Sequence, residues 1–207
     1  FQVRRRYRPD NFIGIHEFRP HMVWRGFYSP DGFFESGKWH IDNHWEWRNG
    51  YELHTGINFL HEGVRKSFEV FPGVEVPPGI YDDKEAILEF WSNQGAWLSA
   101  KLSARAGGYY GGDQVKLSPT VKMRYKEIFN TELSWVRSDI DLPTGEFVAN
   151  LGRLRVSYSF TPKISIQALL QYNDRDNIWA SNFRFSWLQT ANTGLFIVYN
   201  TIRDLGH

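Results

Sequence analysis

Gly37-Lys38-Trp39-His40-Ile41-Asp42-Asn43-His44-Trp45-Glu46-Trp47 runs into Arg48-Asn49-Gly50 and then into Tyr51-Glu52-Leu53-His54-Thr55-Gly56-Ile57-Asn58-Phe59-Leu60. In the first segment every second residue is large and apolar except Asn43, and the interleaved residues are His40, Asp42, His44 and Glu46. A period of two is the pattern of a β-strand with one apolar face. Arg48-Asn49-Gly50 reads as a three-residue hairpin loop, with glycine where the backbone turns left-handed. Pairing Trp47 with Tyr51 sets Trp45 opposite Leu53 and His44 opposite His54. Both strands then agree on which face is apolar.

Three further hairpins follow the same arithmetic. Asn93-Gln94-Gly95 brings Phe90 opposite Leu98 and Leu88 opposite Ala100. Lys126-Glu127-Ile128 pairs Tyr125 with Phe129 and Val121 with Leu133, and it sets Lys122 opposite Glu132 as a charge-complementary pair. Thr161-Pro162-Lys163 joins Val156, Tyr158 and Phe160 to Ile164, Ile166 and Ala168, with Ser157 opposite Gln167 and Arg153 opposite Gln171. Between these turns the sequence predicts long connectors: Ser29 to Ser36, His61 to about Gly79, Gly107 to Gly112, Ser138 to Gly145 and Asn173 to Asn177. Short turns alternating with long loops are the habit of outer-membrane barrels.

The expected fold is therefore all-β: an antiparallel up-and-down transmembrane β-barrel, read as a single unit over residues 1–207. About eleven strands are predicted, at 12–28, 37–47, 51–60, 80–92, 96–106, 113–125, 129–138, 146–160, 164–173, 178–188 and 194–202. Bacterial single-chain barrels use even strand numbers, so at least a twelfth strand is expected. The abrupt Phe1-Gln2-Val3-Arg4 and the ending Arg203-Asp204-Leu205-Gly206-His207 suggest a piece of a larger barrel, incomplete at both ends.

Composition is consistent with that fold. The chain is 42% hydrophobic and 17% aromatic with a mean hydropathy of −0.47, and its longest apolar run, about Leu195 to Tyr199, falls far short of the roughly 20 residues a transmembrane helix needs. Low hydropathy suits a barrel, because half of each strand faces a polar lumen. A net charge of +1 leaves no nucleic-acid footprint. The absence of cysteine fits an exported bacterial protein only weakly.

Trp45, Trp47 and Tyr51 flank the first tight turn, Tyr125 and Phe129 the third, Tyr158 and Phe160 the fourth, and Trp187 precedes Gln189 to Gly194. Rings at strand ends form a girdle at the lipid headgroups. The opposite face carries Glu46, Glu52, Glu89, Lys101, Arg105, Lys122, Arg124, Glu132, Arg153, Arg155 and Arg184, expected to line the lumen. Within it His40, Asp42, His44 and His54 form a weak candidate for metal binding or acid–base work. No nucleophile motif accompanies them, so neither catalysis nor a metal or other cofactor is expected. Asp82, Asp83, Asp139 and Asp141 read as solvated loop acids rather than calcium ligands. Gly107 to Gly112 lacks the Lys-Ser/Thr and the helix of a phosphate loop. Asn43, on the lipid-assigned face, and the opposed Trp91 and Trp97, on the lumen side, depart from the pattern.

Phe71-Pro72-Gly73-Val74 through Pro77-Pro78-Gly79, Tyr109-Tyr110-Gly111-Gly112-Asp113, Asp139-Ile140-Asp141-Leu142-Pro143, Leu154 through Pro162 and Gln171-Tyr172-Asn173 carry a resemblance. Over about Phe12 to Asn200 the chain resembles an uncharacterised family of large Gram-negative exported proteins. In that family a carbohydrate-binding-module-like domain precedes a C-terminal outer-membrane barrel. The resemblance implies the bacterial outer membrane as location, lipid and lipopolysaccharide as surroundings, and carbohydrate as a partner through a domain outside this chain. It supplies no catalytic residues. The expected role is transport through a pore, or surface anchoring. The alternatives are an outer-membrane hydrolase using the His/Asp face and a soluble barrel binding an apolar ligand.

Overall fold

A computed structural model describes residues 1–10, 12–190 and 193–205. It contains fourteen strands and, among the described residues, no helix. They are β1 (Gln2–Arg4), β2 (Ile15–Tyr28), β3 (Phe34–Trp47), β4 (Glu52–Val64), β5 (Phe68–Phe71), β6 (Val74–Val76), β7 (Gly79–Trp91), β8 (Leu98–Tyr109), β9 (Gly112–Tyr125), β10 (Phe129–Leu142), β11 (Gly145–Thr161), β12 (Ile164–Asn173), β13 (Ile178–Thr190) and β14 (Thr193–Asp204). Twelve form one sheet in chain order from β1 to β14, with β5 and β6 making a separate two-stranded sheet. The antiparallel meander is as expected; the strand number is not. Gly206 and His207, part of the ending read from sequence, and Ala191 and Asn192, within the Gln189 to Gly194 turn, lie outside the described residues.

The predicted rhythm of loop lengths is corrected. Gly107 to Gly112 and Ser138 to Gly145 are strand, broken only by the two-residue turns 110–111 and 143–144. Glycine here permits close strand approach: a Cβ on Gly112 would overlap the Asp141 carbonyl, and one on Gly107 the Lys84 carbonyl. Gly112→Ala is expected to cost about 1–3 kcal/mol by forcing the backbones apart, which a denaturant midpoint will report. Ser29 to Ser36 shrinks to residues 29–33, and Asn173 to Asn177 to 174–177. The His61 to Gly79 connector instead holds the end of β4 and the β5–β6 hairpin, which turns at Gly73 with φ of 80°. Conversely, the Asn93 turn spans 92–97, so Trp97 stands exposed outside any strand rather than opposite Trp91 within a ladder.

The chain divides into two compact units, Phe1–Asn93 with Leu102–Leu117 and Ser138–Val148, and Gln94–Lys101 with Ser118–Arg137 and Ala149–His207. In the first, the buried apolar cluster is Val74, Val76 and Leu142, packed by Val64, Val70, Phe71, Tyr81, Tyr109, Tyr110, Ile140 and Phe147. The connector hairpin thus brings its own core: alternation in Val74-Glu75-Val76 turns both valines inward, and Phe71 stacks on Phe147 at 4.5 Å. Thr144 Oγ1 donates to the Glu75 carbonyl at 2.6 Å.

Elsewhere the usual sidedness is reversed. The first unit aligns Met22, Ile41, Ile57 and Ala86 in one row across β2, β3, β4 and β7, and Trp24, Trp39, Phe59 and Lys84 in another. Ile41 is 43% exposed and Trp39, Ile57 and Phe59 are exposed with it. Rows on the opposite face read Val23, His40, Asn58, Glu85; His21, Asp42, Gly56, Ile87; and Arg19, His44, His54, Glu89. Asn58 is fully buried, and Asp42, His54 and Glu85 are buried too. In the second unit Tyr158, Ile166, Phe185 and Ile197 share one row and Ser157, Gln167, Arg184 and Val198 the next. Tyr158, Ile166, Phe183 and Ile197 are exposed, but so are Gln167, Arg184 and Val198, so the reversal of burial is confined to the first unit.

Candidate functional site

Three adjacent strands bring the expected His40, Asp42, His44 and His54 together and add His21. On β3, residues two apart share a face, so His40 and His44 flank Asp42. The β2 register sets His21 opposite Asp42, and the β4 register sets His54 opposite His44 and Gly56 opposite Asp42. A Cβ on Gly56 would stand 2.8 Å from the Ile41 carbonyl and 3.1 Å from Asp42 Cβ, so glycine keeps the place beside the carboxylate clear.

Asp42 Oδ2 lies 3.2 Å from His44 Nε2 and 3.6 Å from His40 Nε2. Asp42 Oδ1 and His44 Nδ1 are buried and make no hydrogen bond among the described residues. The His44 and His54 rings stack with centroids 3.6 Å apart at 12°, and His21 contacts both His40 and His44. His54 Nε2 lies 3.2 Å from Glu52 Oε2, its Nδ1 lies 3.9 Å from Glu89 Oε2, and Trp91 packs on the ring. His40 Nδ1 is 2.8 Å from Asn58 Oδ1, and Asn58 Nδ2 donates to Glu85 Oε2 at 2.8 Å. Two groups bring three donors within 4.8 Å among the described residues: His21, His40, Asp42 and Asp42, His44, His54.

In the first unit Glu46, Glu52, Glu89 and Arg105 lie on the same face as the histidines and approach opposite charges. Arg19 pairs with Glu46 and approaches Glu52 at 3.8 Å and Glu17 at 3.6 Å. Arg105 reaches Glu85 at 3.7 Å and Glu89 at 3.8 Å. In the second unit Glu132 is held by Lys122 at 3.1 Å, the expected pair, and by Arg153 at 3.2 Å. Lys101, Lys122 and Arg124 line one recess, and Arg124 donates to the Gly95 carbonyl. Arg184 lies over the Phe196 ring at 5.2 Å, and Arg155 accepts from Thr131 Oγ1 through its carbonyl.

The aromatic residues singled out at the tight turns lie at or near strand ends. Tyr51 stacks on Phe90, Trp45 meets Phe18 edge-on at 4.9 Å, and Phe129 contacts Tyr158. Tyr125, Phe160 and Trp187 are exposed, and Trp47, half-buried, ends β3. Trp45 Nε1 donates to Thr55 Oγ1 at 3.1 Å, whereas Asn43 Oδ1 is buried without a partner among the described residues, and nothing in the structure explains that residue.

Of the loop acids, Asp82 accepts from His61 at 2.7 Å and Asp83 from the Tyr110 amide at 2.9 Å. Asp139 and Asp141 line an open recess with Asp113 and Glu146.

Loop 29–33 is tied to Arg65, whose guanidinium donates to both Asp31 oxygens at 2.6 Å. The Arg65 bond, then Ser29 Oγ and the Phe33 amide, hold the Asp31 carboxyl well below the usual carboxylate range. A folded-state value below the unfolded one stabilises above about pH 4, and that contribution is lost as pH falls toward the folded value. Amide exchange across 29–33 is expected to accelerate as pH falls below about 4, once corrected for intrinsic rates, and Arg65→Gln is expected to reduce that dependence, leaving the part due to Ser29 and the Phe33 amide.

His21, Arg19 and Glu85 lie outside the expected set. His21 was within reach of pattern reading: Trp24 opposite Trp39 puts it beside Asp42. In comparison with known proteins, no family, no curated protein and no solved structure matches the chain.

Proposed function

We propose that this chain forms part of an outer-membrane β-barrel, with its apolar face against lipid and its polar face toward an aqueous lumen. The observation that carries the reading is the reversed sidedness: Trp39, Ile41, Ile57 and Phe59 exposed while Asn58, Asp42, His54 and Glu85 are buried. A water-soluble sheet that exposes so continuous an apolar face would associate or precipitate, because patches beyond a few hundred Å² mark an interface. In lipid the same face is the stable one, and the exposed Tyr125, Phe160 and Trp187 at strand ends suit the headgroup level.

The role is transport of polar solutes, or anchoring of a surface domain. Rows of paired acids and bases suit a lumen whose charges set selectivity. The resemblance in the loop motifs adds the expectation of a carbohydrate-binding-like domain outside this chain. Lipid and lipopolysaccharide are the expected surroundings and the bacterial outer membrane the location. Planar-bilayer recording on the full-length protein tests the role: stepwise conductance supports passage, and its absence with normal insertion supports anchoring. Protein that stays monodisperse in buffer without detergent would overturn the membrane reading.

A further inference from the structure

We propose that Asp42, His44 and His54 bind one divalent transition-metal ion. Each offers a ligand atom, and the three atoms lie within 4.8 Å of one another. Ligands about 2.0–2.1 Å from a tetrahedral ion stand roughly 3.3 Å apart, and Asp42 Oδ2 and His44 Nε2 are already 3.2 Å apart. The spacing of this hydrogen bond is thus also the spacing of two ligands on one ion.

Burial supplies an independent observation. The Asp42 side chain is 6% exposed, yet among the described residues its Oδ1 makes no hydrogen bond, and His44 Nδ1 is likewise buried and unsatisfied. A buried carboxylate with an unsatisfied oxygen carries a desolvation cost that a cation bound to that carboxylate offsets. Gly56, on β4 directly opposite Asp42 on β3, leaves the adjoining position without a side chain. Glu52 lies 3.2 Å from His54 Nε2 and Glu89 lies 3.9 Å from its Nδ1, so carboxylates stand beside the ring as they do behind metal-bound histidines. The stack of His44 on His54 must open, because parallel rings do not aim their nitrogens at one point.

Donor chemistry selects the ion. Two imidazoles and a carboxylate suit Zn²⁺, Co²⁺ or Ni²⁺, whereas Ca²⁺ and Mg²⁺ take oxygen ligands. The second triad, His21, His40 and Asp42, is the poorer site. Its His40–Asp42 separation is 3.6 Å, longer than the 3.2 Å between His44 and Asp42. It also opens on a recess lined by Arg4, Arg25 and Lys38, whose charge repels a cation.

The test is calorimetric titration of the purified chain with Zn²⁺, with bound metal counted by elemental analysis. One ion per chain is expected. Asp42→Asn, His44→Gln and His54→Gln should each weaken binding by about 100-fold or more, while His21→Gln should leave it within about threefold. Co²⁺ titration of the unaltered chain needs no variant, and intense visible absorption of a tetrahedral ion with nitrogen ligands is expected. Absence of saturable binding, a Co²⁺ spectrum like that of the hydrated ion, or binding lost in His21→Gln but retained in His54→Gln would overturn the proposal.

Discussion

Asn58→Leu is expected to destabilise the first unit by roughly 3 kcal/mol, between the cost of an orphaned neutral group and that of a broken buried ion pair. Asn58 is fully buried between His40 and Glu85, and its amide satisfies both: Oδ1 lies 2.8 Å from His40 Nδ1, and Nδ2 donates to Glu85 Oε2 at 2.8 Å. Leucine fills much of the volume but leaves a buried carboxylate whose nearest charged partner is Arg105 at 3.7 Å. The double variant Asn58→Leu with Glu85→Leu removes both ends of that bond, so it should recover most of the loss. Denaturant midpoints of the two single variants and the double close the cycle. If Asn58→Leu alone proves neutral, the polar row is solvated and contributes little.

Ile41→Arg separates lipid from water outside the sheet. Ile41 lies midway along β3, is 43% exposed and aligns with Met22 and Ile57. A surface isoleucine in water tolerates arginine within about 0.5 kcal/mol. At the middle of a bilayer the same change costs about 2–4 kcal/mol, falling to at most about 1 near the headgroups. Stability measured in lipid vesicles should therefore fall for Ile41→Arg and change little for an arginine at Trp187, near the end of β13.

Pattern reading recovered what depends on period two. The pairs Trp45 with Leu53, His44 with His54, Ser157 with Gln167 and Arg153 with Gln171 are all in the observed register. At Thr161 the turn is two residues plus a bulge rather than three residues, and both give the same ladder from Ser159 inward. Failure came where one residue type serves two purposes. Glycine, proline and aspartate at 107–112 and 138–145 look like loop, but Gly107 and Gly112 are strand residues at close approach to a neighbouring backbone. The β5–β6 hairpin alternates for only three or four residues a side, too few to stand out among Pro72, Pro77 and Pro78. β1 is three residues beside a run of arginines and has no period at all.

The site was legible in part for the same reason. His40, Asp42, His44 and His54 follow from one hairpin, whereas His21 requires the register across 29–33, where a bulge interrupts the pairing between Phe27 and Tyr28. Glu85 requires the β4–β7 pairing, which skips the inserted hairpin. Neither long-range pairing is encoded in a short turn.

The apolar face is tested most directly by collision accessibility of spin labels. The chain has no cysteine, so single cysteines at Ile41, Ile166, Gln167, Ala168, Phe183, Arg184 and Phe185 carry labels without background. In reconstituted vesicles, labels at 41, 166, 168, 183 and 185 should collide readily with oxygen and hardly with a water-soluble nickel chelate. Labels at 167 and 184 should show the reverse. Equal access of the nickel chelate to 166 and 167, and to 183 and 184, would contradict a lipid-facing sheet.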